Sequence, residues 1–247
     1  MKLIINGAGG RMGKALGAVI AKRENDTIVA AIDPFVKEEG MLSCLEDFTG
    51  DADCILDFSN HAGTTQLLNY ACARKIPVVV ATTGHTTEEL NAIRDAAQQI
   101  PVFHSGNMSL GIALLAQLVR QATAVFPDAD VEIVESHHNQ KLDVPSGTAL
   151  MLARAVQDAR PDAELLVGRH ENGKRTKQEV GIHSLRMGTT VGIHEVIIHT
   201  GTQVITLKHE AQDRALFAEG ALSAAEFLIT QDAGLYNMDN IVKQGRG

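Results

Sequence analysis

The stretch richest in chemically competent side chains is 131–150, VEIVESHHNQKLDVPSGTAL, which places His137, His138 and Lys141 just ahead of Pro145-Ser146-Gly147-Thr148. Residues 131–134 are β-branched and apolar apart from Glu132, the composition of a strand, so the histidines and the lysine are expected in the loop that follows it. Pro145 and Ser146 read as a helix start, with Ala149, Leu150, Leu152, Ala153 and Val156 supplying an apolar helical face behind them. The first N–H groups of that helix, near Gly147 and Thr148, would lack internal partners and carry the positive end of the helix dipole. Such an end is an anion site. With an ammonium and imidazoles close by, the loop has the parts to hold a carboxylate-bearing substrate and to pass it a proton.

The elements that must position this loop begin with residues 3–5, a short apolar strand followed at once by Gly7-Ala8-Gly9-Gly10-Arg11-Met12-Gly13 and then by a helical pattern in Ala15, Leu16, Val19 and Ile20. Strand, glycine turn and helix is the order of a dinucleotide fold. Glycines at 7, 10 and 13 permit a tight turn, close approach of a pyrophosphate and close packing of helix on strand. The strict Gly-x-Gly-x-x-Gly pattern fails at Met12, whereas Gly-x-x-Gly-x-x-Gly fits. The next strand, Thr27–Ile32, delivers Asp33 at its end, where a carboxylate can accept hydrogen bonds from the adenosine ribose.

Further strands are expected over 54–58, 78–81 and 102–104, with helices over 64–74 and from the capping-box pair Thr86 and Glu89 through Ile100. This alternation gives parallel βαβ units, whose ligands lie beyond the carboxyl ends of the strands. Three loops occupy that edge: Phe58-Ser59-Asn60-His61, Ala81-Thr82-Thr83-Gly84 and Ser105-Gly106-Asn107-Met108. A helix over 110–125 leads into a second, strand-rich domain, with strands at 182–186, 195–200 and 203–209 and a turn at Thr200-Gly201-Thr202. An amphipathic helix over 213–229 leads back. The expected fold class is α/β, a Rossmann-like doubly wound parallel sheet with a second α+β domain on an open mixed sheet. The first domain takes residues 1–108 and 215–247, the second 109–214.

Composition sets the class. With 247 residues, 45% of them apolar and 21% charged, the chain is long enough for two modest domains. A formal charge of −8 argues against a nucleic-acid or anionic-membrane partner. MKLIINGAGG has too short an apolar run for a signal peptide, and no later run is long enough to span a bilayer, so a cytoplasmic protein is expected. Cys44, Cys54 and Cys72 are odd in number and far apart, as buried thiols would be. Ten histidines raise a metal site, with His137, His138, His183, His194, His199 and His209 as candidates. None shows the short spacing of a metalloprotease or zinc finger, and no metal is expected. Nor is there a Gly-x-Ser-x-Gly nucleophile elbow.

Glu135, His137-His138, Lys141, Asp143 and Pro145-Ser146-Gly147-Thr148-Ala149 together resemble the signature of the dihydrodipicolinate reductase family: acidic residue, x, His-His, two variable residues, Lys, x, Asp, x, Pro-Ser-Gly-Thr-Ala. Ala81-Thr82-Thr83-Gly84 and Ser105-Gly106-Asn107-Met108 are similar to its Gly-Thr-Thr-Gly and Asn-Phe-Ser segments, with Ala81 replacing the glycine and Met108 the aromatic. His183-Ser184-Leu185-Arg186 and Val191-Gly192-Ile193-His194-Glu195 resemble its His-Ser-Leu-Arg and Val-Gly-Glu-His pieces, with Ile193 where many relatives carry glutamate. GLYNMDNIV resembles the tail that returns to the cofactor domain. The resemblance covers essentially the whole chain.

That resemblance implies an NAD(P)H-dependent enzyme that reduces 4-hydroxy-tetrahydrodipicolinate, a small cyclic dicarboxylate, to tetrahydrodipicolinate in lysine and diaminopimelate synthesis. Hydride would go to the ring carbon para to nitrogen, and the adjacent carbon would then be protonated. His137 is the expected proton donor, because an unperturbed histidine titrates near pH 6.5. Lys141 is expected to pair with a substrate carboxylate and to assist, with His138, Ser146, Gly147 and Thr148 completing the cradle. The cofactor is expected on Gly7, Ala8, Gly9, Gly10, Arg11, Met12 and Asp33. Ala81, Thr82, Thr83, Ser105, Gly106, Asn107 and Met108 would meet its nicotinamide end. NADH is the expected preference, since Asp33 repels the 2′-phosphate of NADPH and no basic residue stands at Pro34 or Phe35; Arg11 could reach that phosphate, so NADPH should be usable. A homotetramer through the second domain's sheet is also implied. The reading from another class is a non-catalytic NAD(P)-binding regulator built on the same first domain, which would have no need of His137 and Lys141 beside an anion-binding helix start.

Overall fold

The computed structural model describes residues 1–245 and divides into two compact units, Met1–Ser109 together with the chain from Ala215 onward, and Leu110–Arg214. Arg246 and Gly247, placed in the first domain from sequence, lie outside the described residues.

The first unit opens with β1 (Lys2–Asn6), α1 (Arg11–Ile20), β2 (Thr27–Ile32), β3 (Met41–Leu42), β4 (Cys54–Asp57), α2 (Thr64–Arg74), β5 (Val78–Val80), α3 (Thr87–Ala96) and β6 (Pro101–His104). The second unit holds α4 (Leu110–Val125), β7 (Asp130–His137), α5 (Gly147–Ala159), β8 (Glu164–Val167), β9 (Glu179–Arg186), β10 (Gly192–His199) and β11 (Val204–Ala211). The chain then returns through α6 (Ala215–Leu228), β12 (Gly234–Tyr236) and α7 (Met238–Gln244).

In the first unit the seven strands run parallel in the order β12-β6-β5-β4-β1-β2-β3. The order reverses direction between β1 and β4, the switch point at which doubly wound sheets open a crevice. Every residue of β4 and β5 is buried, and all but Asp57 are apolar, as strands covered on both faces must be. The capping box of α3 forms from Thr86 and Glu89. This helix stops at Ala96 instead of reaching Ile100, because Gln98 and Gln99 donate to the carbonyls of Asp95 and Ala96 three residues back, and the tightened turn drops Ile100 into the core ahead of β6. α6 is buried on several sides through Ala218, Ala221, Ala224, Ala225 and Leu228, a wider face than an amphipathic surface helix carries. Its small residues let it lie close: a Cβ on Gly220 would stand 1.7 Å from the carbonyl oxygen of Met108. Cys54 is buried, whereas Cys44 and Cys72 are only partly so.

The second unit is an open five-stranded sheet, β11-β10-β7-β9-β8, in which β7 pairs parallel with β9 and antiparallel with β10. Strand periodicity organises one face into rows. Val131, Val180 and Ile198 form one row and Ile133, Ile182 and Val196 the next, all fully buried under α4 and α5. Each such side chain contributes about 1.5–3 kcal/mol by leaving water. On the same face the next row is Glu135, Ser184 and His194, followed by His137 beside Arg186. The face thus changes from apolar to polar where β7 ends. Among the described residues no helix is long and apolar enough to cross a membrane.

Candidate active site

His137 is the last residue of β7 and not part of the loop, because Ser136 and His137 keep their pairing with β9 after the apolar run has ended. Two residues apart on one strand, Glu135 and His137 point to the same face, and His137 Nδ1 lies 2.5 Å from Glu135 Oε2. Glu135 is fully buried. Its two oxygens also accept from Arg186 Nη1 at 2.9 Å and Nη2 at 2.8 Å, and from the Ser146 backbone N–H at 3.2 Å. Burial pushes this carboxyl up, but the hydrogen bonds from Arg186 and His137 outweigh it and hold it at about 2. A buried charge is tolerated here because it is paired and hydrogen-bonded on every side.

Burial lowers the His137 imidazole below its ordinary value, the positive charges of Lys141 and Arg186 add to the effect, and Glu135 opposes it. His137 as a whole is 8% exposed. Across the sheet the His194 ring stands edge-on to it at 5.1 Å, and burial drives His194 down to about 4. His194 Nε2 meets Ser146 Oγ at 3.2 Å, and that hydroxyl caps α5 by accepting from the Ala149 N–H. A Cβ on Gly192 would lie 3.1 Å from His137 Nε2, so the glycine makes room for the ring.

The remaining residues of the expected substrate site lie around this network. Lys141 Nζ is 2.9 Å from Asp143 Oδ1. Gly147 and Thr148 open α5, with nothing within 4 Å of where a Gly147 Cβ would stand and no acidic residue in the first turn. His138 is half-buried, its backbone N–H bonded to the Thr190 carbonyl. Glu135, Arg186 and His194 had no expected role in binding or catalysis, although alternation along β7 and β10 carried the signal: polar residues at every second position, on the face that buries Ile133 and Val196. The donor atoms of Glu135, His137 and His194 lie within 4.8 Å of one another. Because Glu135 is already gripped by a guanidinium, which opposes a cation, the trio is read as a hydrogen-bonded network.

In the first unit the glycine turn is built as tightly as its residues allow. Gly7 has φ +84°, and a Cβ there would stand 2.5 Å from the Phe58 carbonyl oxygen; one on Gly13 would stand 2.4 Å from the Gly7 carbonyl oxygen. Gly10 caps α1 without a side chain, leaving the helix start open with no acidic residue in its first turn. A cavity of about 500 Å³ adjoins it, lined by Gly7, Gly10, Asp33, Phe35, Ser59 and Asn60 among others. Asp33, 8% exposed, accepts from the N–H groups of Gly9, Phe35 and Val36 at 3.0, 2.9 and 3.1 Å, so it braces the turn as well as facing the cavity. Ala8 donates to the Ile32 carbonyl, Arg11 is exposed and Met12 partly buried.

Ala81, Thr82 and Thr83 follow β5, and Ser105, Gly106, Asn107 and Met108 follow β6; neither segment lines this cavity. Thr82 Oγ1 donates to buried Asp57 at 2.7 Å, Ser105 Oγ donates to the Asn107 carbonyl, and Asn107 Oδ1 accepts from the Ser109 N–H. Met108 is only 3% exposed, its carbonyl packed against Gly220 of α6. The close glycine turn, the uncapped helix start and the cavity beside an acidic strand end fit a dinucleotide.

Residues 1–108 match the family model described as dihydrodipicolinate reductase, N-terminus, and residues 111–242 the one described as dihydrodipicolinate reductase, C-terminus. The chain is 45% identical to the 4-hydroxy-tetrahydrodipicolinate reductase of Caldanaerobacter subterraneus subsp. tengcongensis, over 99% of each sequence. It is 41% identical to the protein of that name from Clostridium novyi, over 98% of each. Among solved structures it is similar to a dipicolinate-bound dihydrodipicolinate reductase from Paenisporosarcina sp. TG-14, with a TM-score of 0.83 and 26% identity over 98% of this chain and 99% of that one.

Proposed function

This chain belongs to the dihydrodipicolinate reductase family, and from that membership we propose that it reduces 4-hydroxy-tetrahydrodipicolinate to tetrahydrodipicolinate with a nicotinamide cofactor, in lysine and diaminopimelate biosynthesis. When bound, the cofactor supplies the hydride. The first unit holds it: the glycine turn lets the pyrophosphate approach the start of α1, whose first N–H groups take it, Asp33 takes the ribose, and Phe35, 89% exposed beside the cavity, offers a face for adenine. Ala81–Thr83 and Ser105–Met108, at the ends of β5 and β6, are assigned to the nicotinamide end, and NADH is preferred.

The second unit holds the dicarboxylate. Lys141 pairs with one carboxylate, and the start of α5 at Ser146, Gly147 and Thr148, with His138, receives it through hydrogen bonds. His137 gives a proton to the ring carbon adjacent to the one that accepts hydride. Burial holds its imidazole toward the neutral form. A dianionic substrate raises its proton affinity on arrival, so the donor is charged when it is needed. The observation that carries this reading is a histidine fixed against a buried carboxylate, beside a lysine and an open helix start. A non-catalytic regulator built on the same first unit gives no account of that arrangement. We further infer a homotetramer through the second unit's sheet, supported by the long, half-exposed edge strand β11, and a cytoplasmic site of action.

Calorimetric titration with dipicolinate tests the cradle. The protein should bind it, and Lys141→Ala should weaken binding about tenfold or more, the worth of one charge-assisted bond. Equal affinity in the two proteins would place the carboxylate elsewhere.

A further inference from the structure

We propose that Glu135 is a positioning residue for the proton transfer: it holds His137 with the proton on Nδ1, so that Nε2 is the atom that delivers to the substrate carbon. The inference rests on the reading of His137 as donor and goes beyond it by naming the atom and the group that selects it. A neutral imidazole carries one proton on either nitrogen, and the partner of one nitrogen decides which. An ionised carboxylate only accepts. With Glu135 Oε2 2.5 Å from Nδ1, the proton is therefore placed on Nδ1 and Nε2 is left for exchange.

Glu135 cannot turn away to serve another role. Its other side-chain bonds come from two elements, both terminal nitrogens of Arg186 on β9 and the N–H of Ser146 ahead of α5, while its own backbone on β7 is paired with β9 and β10. The same carboxylate thus ties the donor ring to the start of the helix that receives the substrate carboxylate. The charged and titratable groups facing His137 are Glu135 on its own strand, Arg186 on β9, His194 on β10 and Lys141 in the loop. Of these only Glu135 favours the imidazolium. In the step itself the Nε2–H bond breaks as the new C–H bond forms, the ring is left neutral with Nδ1–H in place, and water returns a proton to Nε2.

The test is Glu135→Gln, which keeps the shape, removes the charge and can present an amide N–H to Nδ1. We expect kcat to fall on the order of a hundredfold or more, with KM changed by less than about threefold. The alkaline limb of the kcat/KM profile should move to lower pH, since the imidazolium loses its anion. Nitrogen-15 spectra should show His137 protonated at Nδ1 in the natural protein and at Nε2 in the variant. Glu135→Asp, which retains the charge, should restore part of the rate and the original tautomer.

An unchanged kcat, or a loss of kcat with tautomer and pH limb both unmoved, would overturn the proposal, the latter making Glu135 merely structural. Should Glu135→Gln not fold, the tautomer in the natural protein decides, and Nε2–H there would overturn it. His137→Gln separates the two claims: if it keeps its turnover, the donor reading itself fails. If it loses turnover and Glu135→Gln does not, only the positioning role fails.

Discussion

Lys141 Nζ stands 2.9 Å from the carboxylate of Asp143 two residues on, so the ammonium assigned to the substrate already has an anion beside it. Asp143 is exposed, and an exposed ion pair is worth about 0–1 kcal/mol. The substrate must displace that much. Asp143→Asn should therefore lower KM for the dicarboxylate by up to about fivefold with little change in kcat. Lys141→Ala should cost about ten- to a hundredfold in kcat/KM and leave the NADH dissociation constant intact. Steady-state kinetics on both variants check this, and a raised KM in Asp143→Asn would make Asp143 part of the cradle instead of a competitor for it.

Cofactor choice rests on Asp33. Its carboxylate faces the cavity while bracing Gly9, Phe35 and Val36, so its charge cannot swing away from an incoming 2′-phosphate. Lys14, one turn into α1, is answered by Glu38 at 3.2 Å. NADH should bind more tightly than NADPH by roughly 1–2 kcal/mol, or about five- to thirtyfold. Phe35→Ala should weaken both cofactors alike, by about three- to tenfold, since a stacking face does not read the phosphate. Dissociation constants at low and high salt decide: tighter NADPH at both would show Arg11 dominating the ribose end.

Acid should destabilise the second unit in two stages. His194 is neutral and buried, with its folded value near 4 against an ordinary 6.5, so the unfolded chain takes up this proton first as pH falls. Stability tied to it is present above pH 6.5 and is lost as pH falls through about 4. Glu135 has the same sign, its contribution being present above about 4.5 and lost as pH falls toward about 2. Each is worth up to about 3 kcal/mol. Urea midpoints from pH 7.5 to 3.5 should show the decline, and His194→Gln should flatten it between pH 6.5 and 4. An equally steep decline in that variant would assign the first stage to other groups.

The doubly wound fold was legible because its signals are local. The glycine turn, the acidic end of β2, the capping box at Thr86 and Glu89 and the Val-rich run of β5 each fit within a few residues. The short strands β3, β8 and β12 escaped notice because they take their structure from a neighbour's edge more than from their own composition. In the second unit, composition marked the end of β7 at Val134, whereas pairing with β10 carries it to Ser136 and pairing with β9 to His137. The Glu135–Arg186 and Ser146–His194 contacts join residues about fifty positions apart, and only sheet register brings them together. Burial was equally hidden at Met108, whose surroundings come from α6 at the far end of the chain.

Delivery of the proton by His137 is tested most directly by the kinetics of His137→Gln with freshly generated substrate and NADH. Because the interaction is needed mainly in the transition state, kcat should fall on the order of 10²- to 10⁴-fold while the dicarboxylate KM and the NADH dissociation constant stay within a few-fold of the natural protein. A variant that keeps its kcat and loses only substrate affinity would make His137 a carboxylate ligand and contradict the account.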